Sequence, residues 1–504
     1  MYLDLYSHRF TTSPPSIFST HIHTFHKMAT AEQKKFVSQI DANKAALIDR
    51  LAEAVSIPSV SGDANYRKAC FDMADWLLAE LKKLGATAEL KPLGKQNLDG
   101  KEIELPPVIL GDLGKDPKKK TILVYGHFDV QPALKSDGWD TEPFKLITDE
   151  KTGRMYGRGS TDDKGPILGW LNAIEAHQQA GIDLPVNLKF CFEGMEESGS
   201  VGLDELIAAE KDSFFQGVDA VCISDNYWLG TKKPCLTHGL RGIAYFKLAI
   251  SGPARDLHSG VFGGVVHEPM TDLFTIMSKL VTAKGEILVP GIKELVAPLT
   301  DEERKRYDVM DFVLSDIEGA TGSKTTVSDD KAAVLMGRMR YPCLSLHGIE
   351  GAFSEPGTKT VIPAKVIGKF SLRLVPDMTP DKVNELVTKY VNDEFAKIGS
   401  KNTMTITSEH GGKPWLADPN HWNYEAAIKA TETIYGVKPD LTREGGSIPV
   451  TLTFADLLQK NVLLLPMGRS DDGAHSINEK LDISNYIEGT KLLGLYLHEV
   501  AATA

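Results

Sequence analysis

Four short apolar segments, each followed by a polar residue, constrain the fold of this chain more than any other feature. They are TILVYGHFDV, LPVNLKFCFEG, DAVCISD and NVLLLPMG. A helical segment, KGPILGWLNAIEAHQQAG, lies between the first two, and strands that alternate with helices predict an α/β fold with a mainly parallel sheet. Because ligands of such sheets bind beyond the carboxyl ends of the strands, the polar residues there are candidates for one functional site.

The middle of the chain has a different pattern, typical of half-exposed strands and covering helices. The segments IAYFKLAISG, KFSLRLVP and TMTITSEHGG alternate apolar with polar residues, and MTDLFTIMSKLV and DKVNELVTKYVNDEFAKIG are typical of amphipathic helices. We therefore predict that residues 31–239 and 413–504 form the α/β domain. Residues 240–412 are predicted to be an α+β domain inserted into it.

The N-terminal part of the chain predicts an extension followed by two helices. Residues 1–30 are predicted to be a disordered extension, because residues 1–27 are rich in serine, threonine and histidine. These residues lack the charged start and long apolar centre of a secretory signal, and a mitochondrial transit peptide remains the weaker alternative. Amphipathic helices are expected at 31–57, ending before Pro58, and at 66–85.

Length, charge and composition disfavour several classes of protein. A chain of 504 residues exceeds the usual size of one hydrophobic core, so more than one domain is expected. The net charge of −12 disfavours a nucleic-acid binder, and the absence of an apolar run of about 18 residues disfavours a membrane protein. The five cysteines are scattered without C-x-x-C pairs, which indicates buried thiols in a reducing compartment and therefore a cytoplasmic protein.

The first apolar segment ends in a His-x-Asp pair, His127 and Asp129. In an extended chain, residues two apart point to the same side, and a histidine bound to a metal needs a partner that fixes its ring. The pair therefore suits a metal site, although a core histidine beside a capping aspartate would give the same pattern.

A glycine-rich turn, MYGRGSTDDKGP, places Asp162 and Asp163 before a predicted helix. Glycine-rich turns can bind phosphate, but this one lacks the spacing and the G-K-[ST] ending of a P-loop. Two carboxylates would also repel an anion, so the turn favours a cation.

Three further segments carry ligand-type residues at the ends of predicted strands. They contribute Glu196 and Glu197 in FEGMEESGS, Asp225 in CISDNYW, and His475 in GRSDDGAHSINEK. Each segment alone could be a solvated loop. Together with the first two, they form a set of oxygen and nitrogen donors without thiolate, which suits zinc, manganese or cobalt.

Five segments resemble the signature sequences of a known family: GHFDVQP, YGRGSTDDKGP, EGMEESGS, ISDNYW and GAHSINEK. The family is that of the co-catalytic dimetal peptidases, which includes cytosolic non-specific, carnosine and Cys-Gly dipeptidases and, more distantly, glutamate carboxypeptidases and aminoacylases. The resemblance extends from about residue 31 to the C-terminus. CISDNYWLG and FSEPGTKTVIPAKVIGKFSLRLVP are similar to the cytosolic dipeptidase branch in particular.

The resemblance implies two divalent metal ions per subunit, zinc or manganese. His127 and Asp225 would bind one ion, and Glu197 and His475 would bind the other. Asp162 would bridge the two ions.

The resemblance also implies the reaction and its catalytic groups. Asp129 would orient His127, and Glu196 would be the general base for attack by a hydroxide that bridges the metals. Glu196, Asp225 and His475 would also contact the substrate. The implied function is hydrolysis of dipeptides such as Cys-Gly, with a role in glutathione degradation.

A dipeptidase must also recognise the ends of its substrate. Arg373 resembles the residue that binds the substrate carboxylate in this family, with Thr360, His410 and Ser447 nearby, although on residue pattern alone it could form a surface ion pair. His258 resembles a histidine that the inserted domain presents to the active site of the partner subunit. The resemblance therefore implies a homodimer.

Three other functions remain open from the sequence. The first is an N-acyl-amino-acid deacylase or carboxypeptidase of the same family, with the same metals and a different pocket. The second is a non-catalytic scaffold, which should show damage at the base or the ligands. The third is a dimetal phosphohydrolase, which is disfavoured because no basic phosphate pocket accompanies these segments.

Overall fold

The computed structural model describes residues 29–98, 100–446 and 448–503. Two sheets organise this part of the chain, a large mixed one and a smaller antiparallel one. The α-helices are α1 (Ala31–Ala42), α2 (Lys44–Val55), α3 (Arg67–Lys83), α4 (Lys164–Ala180), α5 (Leu203–Glu210), α6 (Ser259–Phe262), α7 (Pro269–Met277), α8 (Asp301–Val309), α9 (Leu314–Thr321), α10 (Lys331–Met339), α11 (Pro380–Ile398), α12 (Trp422–Tyr435), α13 (Pro449–Leu458) and α14 (Ile483–Ala502).

The strands are short and most belong to these two sheets. In chain order they are β1 (Thr87–Lys91), β2 (Lys95–Leu98), β3 (Lys101–Glu104), β4 (Val108–Leu113), β5 (Thr121–His127), β6 (Ile147–Asp149), β7 (Arg154–Tyr156), β8 (Asn187–Glu193), β9 (Ala220–Ile223), β10 (Cys235–Leu240), β11 (Gly242–Ser251), β12 (Leu257–His258), β13 (Cys343–Glu350), β14 (Val361–Ile362), β15 (Lys365–Leu374), β16 (Thr403–Gly412), β17 (Trp415–Leu416), β18 (Asp440–Glu444), β19 (Val462–Leu464) and β20 (Lys480–Asp482).

The large sheet has the strand order β1-β4-β8-β5-β9-β19-β10-β17, and β18 also pairs with β10. Its centre, β8-β5-β9-β19, is parallel, and antiparallel strands extend it on both sides. The four apolar segments of the sequence form these central strands, so the predicted α/β fold is confirmed. Their carboxyl ends lie at one edge of the sheet.

Helix α4 covers the centre of the large sheet and is buried along nearly its whole length, including Trp170. It contacts α1, α2 and α14, which complete the layer. Every residue of β5 after Thr121 is buried, as expected for a parallel strand with both faces covered. This packing fixes the strand ends that carry the polar residues.

The expectation of one helix at 31–57 is wrong, because α1 and α2 are separate helices joined at Asn43. The side chain of Asn43 donates to Gln179 Oε1 at 2.5 Å. Asparagine favours helix ends because its amide can bond outside the helix. The second expected helix corresponds to α3, and Gly85 follows it with a φ of 83°.

The smaller sheet has the antiparallel order β13-β15-β11-β16. Burial alternates along all of β11, which confirms the half-exposed pattern expected from the sequence. Helices α7 and α11 pack on this sheet, and α11 buries Val383, Val387 and Val391 at helical spacing. This sheet and its helices form the α+β unit expected within residues 240–412.

Helices α8 and α10 lie within the range predicted for the inserted domain but pack elsewhere. Tyr307 of α8 and Leu335 of α10 share a hydrophobic cluster with Trp228 and Leu229, which follow β9. The boundaries at residues 239 and 412 therefore stay a prediction, since part of the inserted segment shares a core with the large sheet.

Most of the predicted extension, residues 1–30, lies outside the described residues. Thr30 is described, and its side chain caps α1 by accepting the N–H of Gln33 at 3.2 Å. Among the helices of residues 29–98, 100–446 and 448–503, none has both the length and the apolar character needed to cross a membrane.

Candidate active site

The predicted ligand residues converge at the carboxyl edge of the central parallel strands. His127 ends β5, and Asp225 follows β9 after one residue. Glu196 and Glu197 lie in a 3-10 turn just after β8, and His475 lies in the loop after β19. The parallel order of these strands brings together segments that are far apart in the sequence.

His127 lies at the centre of the first group of candidate ligands. Its Nε2 lies 3.1 Å from Asp162 Oδ1 and 3.6 Å from Asp225 Oδ2. Its Nδ1 faces Asp129, at 3.1 Å from the backbone oxygen and 3.4 Å from Oδ1. Nε2 is therefore directed at the two carboxylates, and Asp129 fixes the opposite side of the ring.

Asp162 belongs to both groups of candidate ligands. Its Oδ2 lies 3.1 Å from His475 Nε2, which is also 2.9 Å from Glu197 Oε2. The donor atoms within each group, His127–Asp162–Asp225 and Asp162–Glu197–His475, lie within 4.8 Å of one another. This is the arrangement that two adjacent cations with one bridging carboxylate would need.

Asp129 also holds the turn that contains the two glutamates. Its Oδ1 accepts the N–H of Glu196 at 3.2 Å, and its Oδ2 accepts the N–H of Glu197 at 3.1 Å. The side chain of Gln131 donates to Glu197 Oε2 at 2.8 Å. One buried aspartate thus positions both the first histidine and the glutamate turn.

The charges of the site show an excess of buried carboxylates. Burial raises the pKa of Asp225 to about 6, with smaller contributions from Asp162 and Glu197. Burial also raises the pKa of Glu196 well above its usual range. Hydrogen bonds to Asp162 and Glu197 raise the pKa of His475 to about 10. Cations at this position would favour the charged form of these carboxylates and so offset the cost of burying them.

The donor set fits hard or borderline divalent metal ions, because it consists of carboxylate oxygens and imidazole nitrogens. Another acidic group, Asp471, Asp472 and Asp482, differs from it. Lys480 Nζ bonds to all three carboxylates, at 2.8 Å from Asp471 and 2.6 Å from Asp472. A lysine therefore already occupies the space between these three carboxylates, which favours the site around Asp162 as the metal centre.

A cavity of about 220 Å³ opens onto the candidate ligands. Its lining includes Asp162, Glu196, Asp225 and His475. A larger cavity of about 490 Å³ shares Tyr227, Glu444 and Ala474 with it. The site therefore has room beside Glu196 for a small substrate.

The remaining predicted substrate residues belong to the smaller sheet and its connections. Arg373 lies in β15 opposite Cys343, and His258 caps the short helix α6, where its Nδ1 accepts the N–H of Gly260 at 3.0 Å. The backbone oxygen of Thr360 accepts the N–H of Ser259 at 3.2 Å, next to His258. None of Arg373, His258 and Thr360 lines the cavity of about 220 Å³.

The last two predicted substrate residues are His410 and Ser447. His410 belongs to β16, where its backbone pairs opposite Tyr245. Ser447 lies outside the described residues. Their proposed contacts with substrate remain predictions.

Sequence reasoning missed a buried glutamate, Glu479, that contacts the Asp162 loop. The side chain accepts the N–H of Asp162 at 3.2 Å from a position 317 residues away. Its only signal in the sequence is its place in GAHSINEK, four residues after His475. No local pattern indicates that this carboxylate turns back toward another loop.

Comparison with known proteins agrees with this geometry. The sequence matches the profile of Peptidase family M20/M25/M40 over residues 123–499. It is 56% identical to the Cys-Gly metallodipeptidase dug1 of Schizosaccharomyces pombe, over 93% of this chain and 98% of that protein. It is 46% identical to the Beta-Ala-His dipeptidase of Homo sapiens, over 93% of this chain and 92% of that protein.

A solved structure gives the same result for the fold. The di-peptidase Dug1p from Saccharomyces cerevisiae superposes with a TM-score of 0.85 at 54% identity, covering 94% of this chain and 99% of that chain. The family profile spans the strands and loops that carry all the candidate ligands. The chain therefore belongs to Peptidase family M20/M25/M40, as the resemblance of its five sequence segments predicts.

Proposed function

We propose that this chain is a metal-dependent dipeptidase that hydrolyses the peptide bond of Cys-Gly and similar dipeptides. The observation that carries the proposal is Asp162, whose two carboxylate oxygens face two histidines, His127 and His475, from distant parts of the sequence. The identity to Cys-Gly metallodipeptidases from three yeasts, between 54% and 57%, supports this choice of substrate.

The metal centre is proposed to hold two divalent ions per subunit, zinc or manganese. His127 and Asp225 would hold one, Glu197 and His475 the other, and Asp162 would contact both. Paired divalent ions lower the pKa of a shared water and polarise the scissile carbonyl. The protein holds the donors at their positions through Asp129, whose carboxylate accepts from the glutamate turn beside His127.

Glu196 is proposed to carry the proton during hydrolysis. It lines the cavity beside Asp162, and its burial favours a carboxyl group that can take up a proton. As general base its carboxylate would accept a proton from the attacking water, and it would then donate that proton to the departing amine. Glu197, next in the chain, is held by His475 and Gln131 instead.

Recognition of the substrate is proposed to involve the inserted domain. The guanidinium of Arg373 would bind the terminal carboxylate with two parallel hydrogen bonds, assisted by Thr360, His410 and Ser447. His258 would act in the active site of a second subunit of a homodimer. Its exposed position outside the cavity is consistent with that role.

The cellular role proposed here is the breakdown of Cys-Gly from glutathione in the cytoplasm. Four of the five cysteines are buried and none forms a disulfide among the described residues, as expected in a reducing compartment.

A dipeptide panel on metal-stripped protein tests the proposal. The protein is treated with a chelator, refilled with zinc or manganese, and assayed with Cys-Gly, β-Ala-His, a tripeptide and an N-acyl amino acid. We expect activity only after refilling, and faster cleavage of Cys-Gly than of the tripeptide or the acyl amino acid. Faster cleavage of the N-acyl amino acid than of the dipeptides would contradict the proposal and indicate a deacylase.

A matched pair of variants tests the location of the metals. We expect Asp162→Asn to lose bound metal and activity. Asp471→Asn, from the acidic group that pairs with Lys480, should keep both. Equal metal content in the two variants would contradict the assigned centre.

A further inference from the structure

The carboxylate of Glu479 is fully buried and binds the backbone of the loop that carries Asp162. It accepts N–H groups from Gly159 at 3.1 Å, Thr161 at 3.0 Å and Asp162 at 3.2 Å. The guanidinium of Arg158 donates to the same carboxylate at 2.7 Å. Four donors from one short segment therefore meet one side chain from a distant segment.

The contacts between the two segments continue on both sides of Glu479. Its backbone oxygen accepts the N–H of Gly157 at 2.9 Å. Arg158 also donates to the backbone oxygen of Ser476 at 3.1 Å. Ser476 follows His475 directly, so these bonds hold the His475 loop against the Asp162 loop.

Asp472 adds a second link from the other side of His475. Its Oδ2 accepts the hydroxyl of Thr161 at 2.8 Å, and its Oδ1 binds Lys480 Nζ at 2.6 Å. His475 thus lies between two acidic residues that both bind the loop of the bridging aspartate.

A buried carboxylate beside another carboxylate is costly unless its hydrogen bonds are complete. Coulombic repulsion between Glu479 and Asp162 works against this arrangement. An uncharged side chain would avoid the repulsion but would leave several buried N–H groups without an acceptor. The charged carboxylate of Glu479 therefore fixes the loop, although its repulsion from Asp162 is unfavourable.

We propose that Glu479 is a positioning residue that couples the His475 loop to the Asp162 loop and thereby sets the affinity of the metal centre. The inference rests on the proposed metal sites. Partners of this kind, which orient metal ligands without touching the metal, change metal affinity by about 10–100-fold when removed.

The test compares Glu479→Gln with Glu80→Gln in the full-length protein. Glu80 is also buried and also pairs with an arginine, Arg50, at 3.2 Å, but it lies in α3 away from the ligands. Each metal-stripped protein is titrated calorimetrically with Zn²⁺ and with Mn²⁺, and its Tm is recorded with and without metal.

We expect both variants to lower the Tm of the metal-free protein. Only Glu479→Gln should weaken metal binding, by about 10–100-fold, and reduce the rise in Tm on metal addition. Wild-type affinity in Glu479→Gln would overturn the proposal. If that variant does not fold, Glu479→Asp, which withdraws the carboxylate by one methylene, is judged by the same criterion. A wild-type protein that binds no metal would instead overturn the proposed function.

Discussion

Glu196 and Glu197 are adjacent in the chain, but their carboxylates have different surroundings. Glu197 contacts His475 and Gln131, whereas Glu196 lines the cavity. Asp129 binds both backbone N–H groups and so fixes the turn that separates the two side chains. A single turn can therefore supply one candidate metal ligand and one candidate proton carrier.

Replacing Glu196 by glutamine tests this separation. We expect Glu196→Gln to keep its metal content and to lose about 10²–10⁴-fold in kcat, because an amide cannot carry the proton. Metal content is measured by elemental analysis and kcat with Cys-Gly. The exposed Glu205→Gln is the control and should keep full activity. Normal turnover in Glu196→Gln would rule out its role as the base.

Replacing Arg373 by lysine tests its proposed binding of the substrate carboxylate. Arg373→Lys keeps the charge but loses the paired donors, so we expect kcat/KM for dipeptides to fall by about 10–100-fold. A C-terminally amidated dipeptide should be affected much less. Lys369 lies in the same strand and pairs with Glu350, so Lys369→Met is the control. An equal loss for free and amidated substrates would argue against carboxylate binding.

At the level of secondary-structure elements, helices α4 and α14 bring together two histidines, His177 and His498. His177 Nε2 lies 3.0 Å from His498 Nε2, and His177 Nδ1 lies 2.7 Å from the backbone oxygen of Ala173. Phe36 of α1 packs on the His177 ring at 4.3 Å between ring centroids. Two imidazoles this close are stable together only when they are not both protonated.

Burial lowers the pKa of His177 to about 4, below the value of 6.5 expected in the unfolded chain. Below pH 6.5 the unfolded chain binds a proton that the folded protein resists until about pH 4. We therefore expect the free energy of unfolding to decrease as the pH falls through this window, by up to about 1.4 kcal/mol per pH unit from this residue.

Urea unfolding at pH 7.5 and pH 5 measures this effect. The stability difference between the two pH values should be smaller in His177→Asn than in the wild type. His267→Asn is the control, because its imidazole is exposed in the folded chain. If His177→Asn and the wild type lose equal stability, the buried pair is not the source of the pH dependence.

The elements differ in how far sequence could predict them. The central strands and α4 follow from local apolar patterns. The strand ends then place His127 and Asp225 at one edge, and Asp162 lies in the loop directly before α4. The break at Asn43 coincides with a hydrogen bond to Gln179 in another helix, a contact that no local pattern reveals. Glu479 was missed for the same physical reason, since its partners lie 317 to 321 positions away.

For the whole molecule, the candidate residues are divided between the inserted domain and the large sheet. His258 and Arg373 belong to its strands, while the candidate metal ligands belong to the large sheet and its loops. The sequence resemblance predicts that a second subunit brings His258 to the metal centre. A homodimer would then be part of the catalytic machinery.

Mixing two inactive variants tests this arrangement. His258→Ala keeps the metal ligands, and Asp162→Asn keeps His258. If subunits exchange freely, half of the dimers are mixed and each has one complete site, so we expect roughly a quarter of wild-type activity. Each variant alone is the control and should be nearly inactive. No recovery in a mixture shown to contain mixed dimers would contradict action across subunits.

Asp162 contacts His127 at the end of β5 and His475 in the loop after β19, and this has a consequence for biosynthesis. During translation, His127, Asp162, Glu197 and Asp225 are all made long before His475 and Glu479. A nascent chain that has not reached His475 holds a crowded group of carboxylates without the second histidine. Binding of the second metal ion and peptide cleavage are therefore expected to begin only after synthesis has passed His475 and Glu479, so that chains terminated before these residues remain inactive.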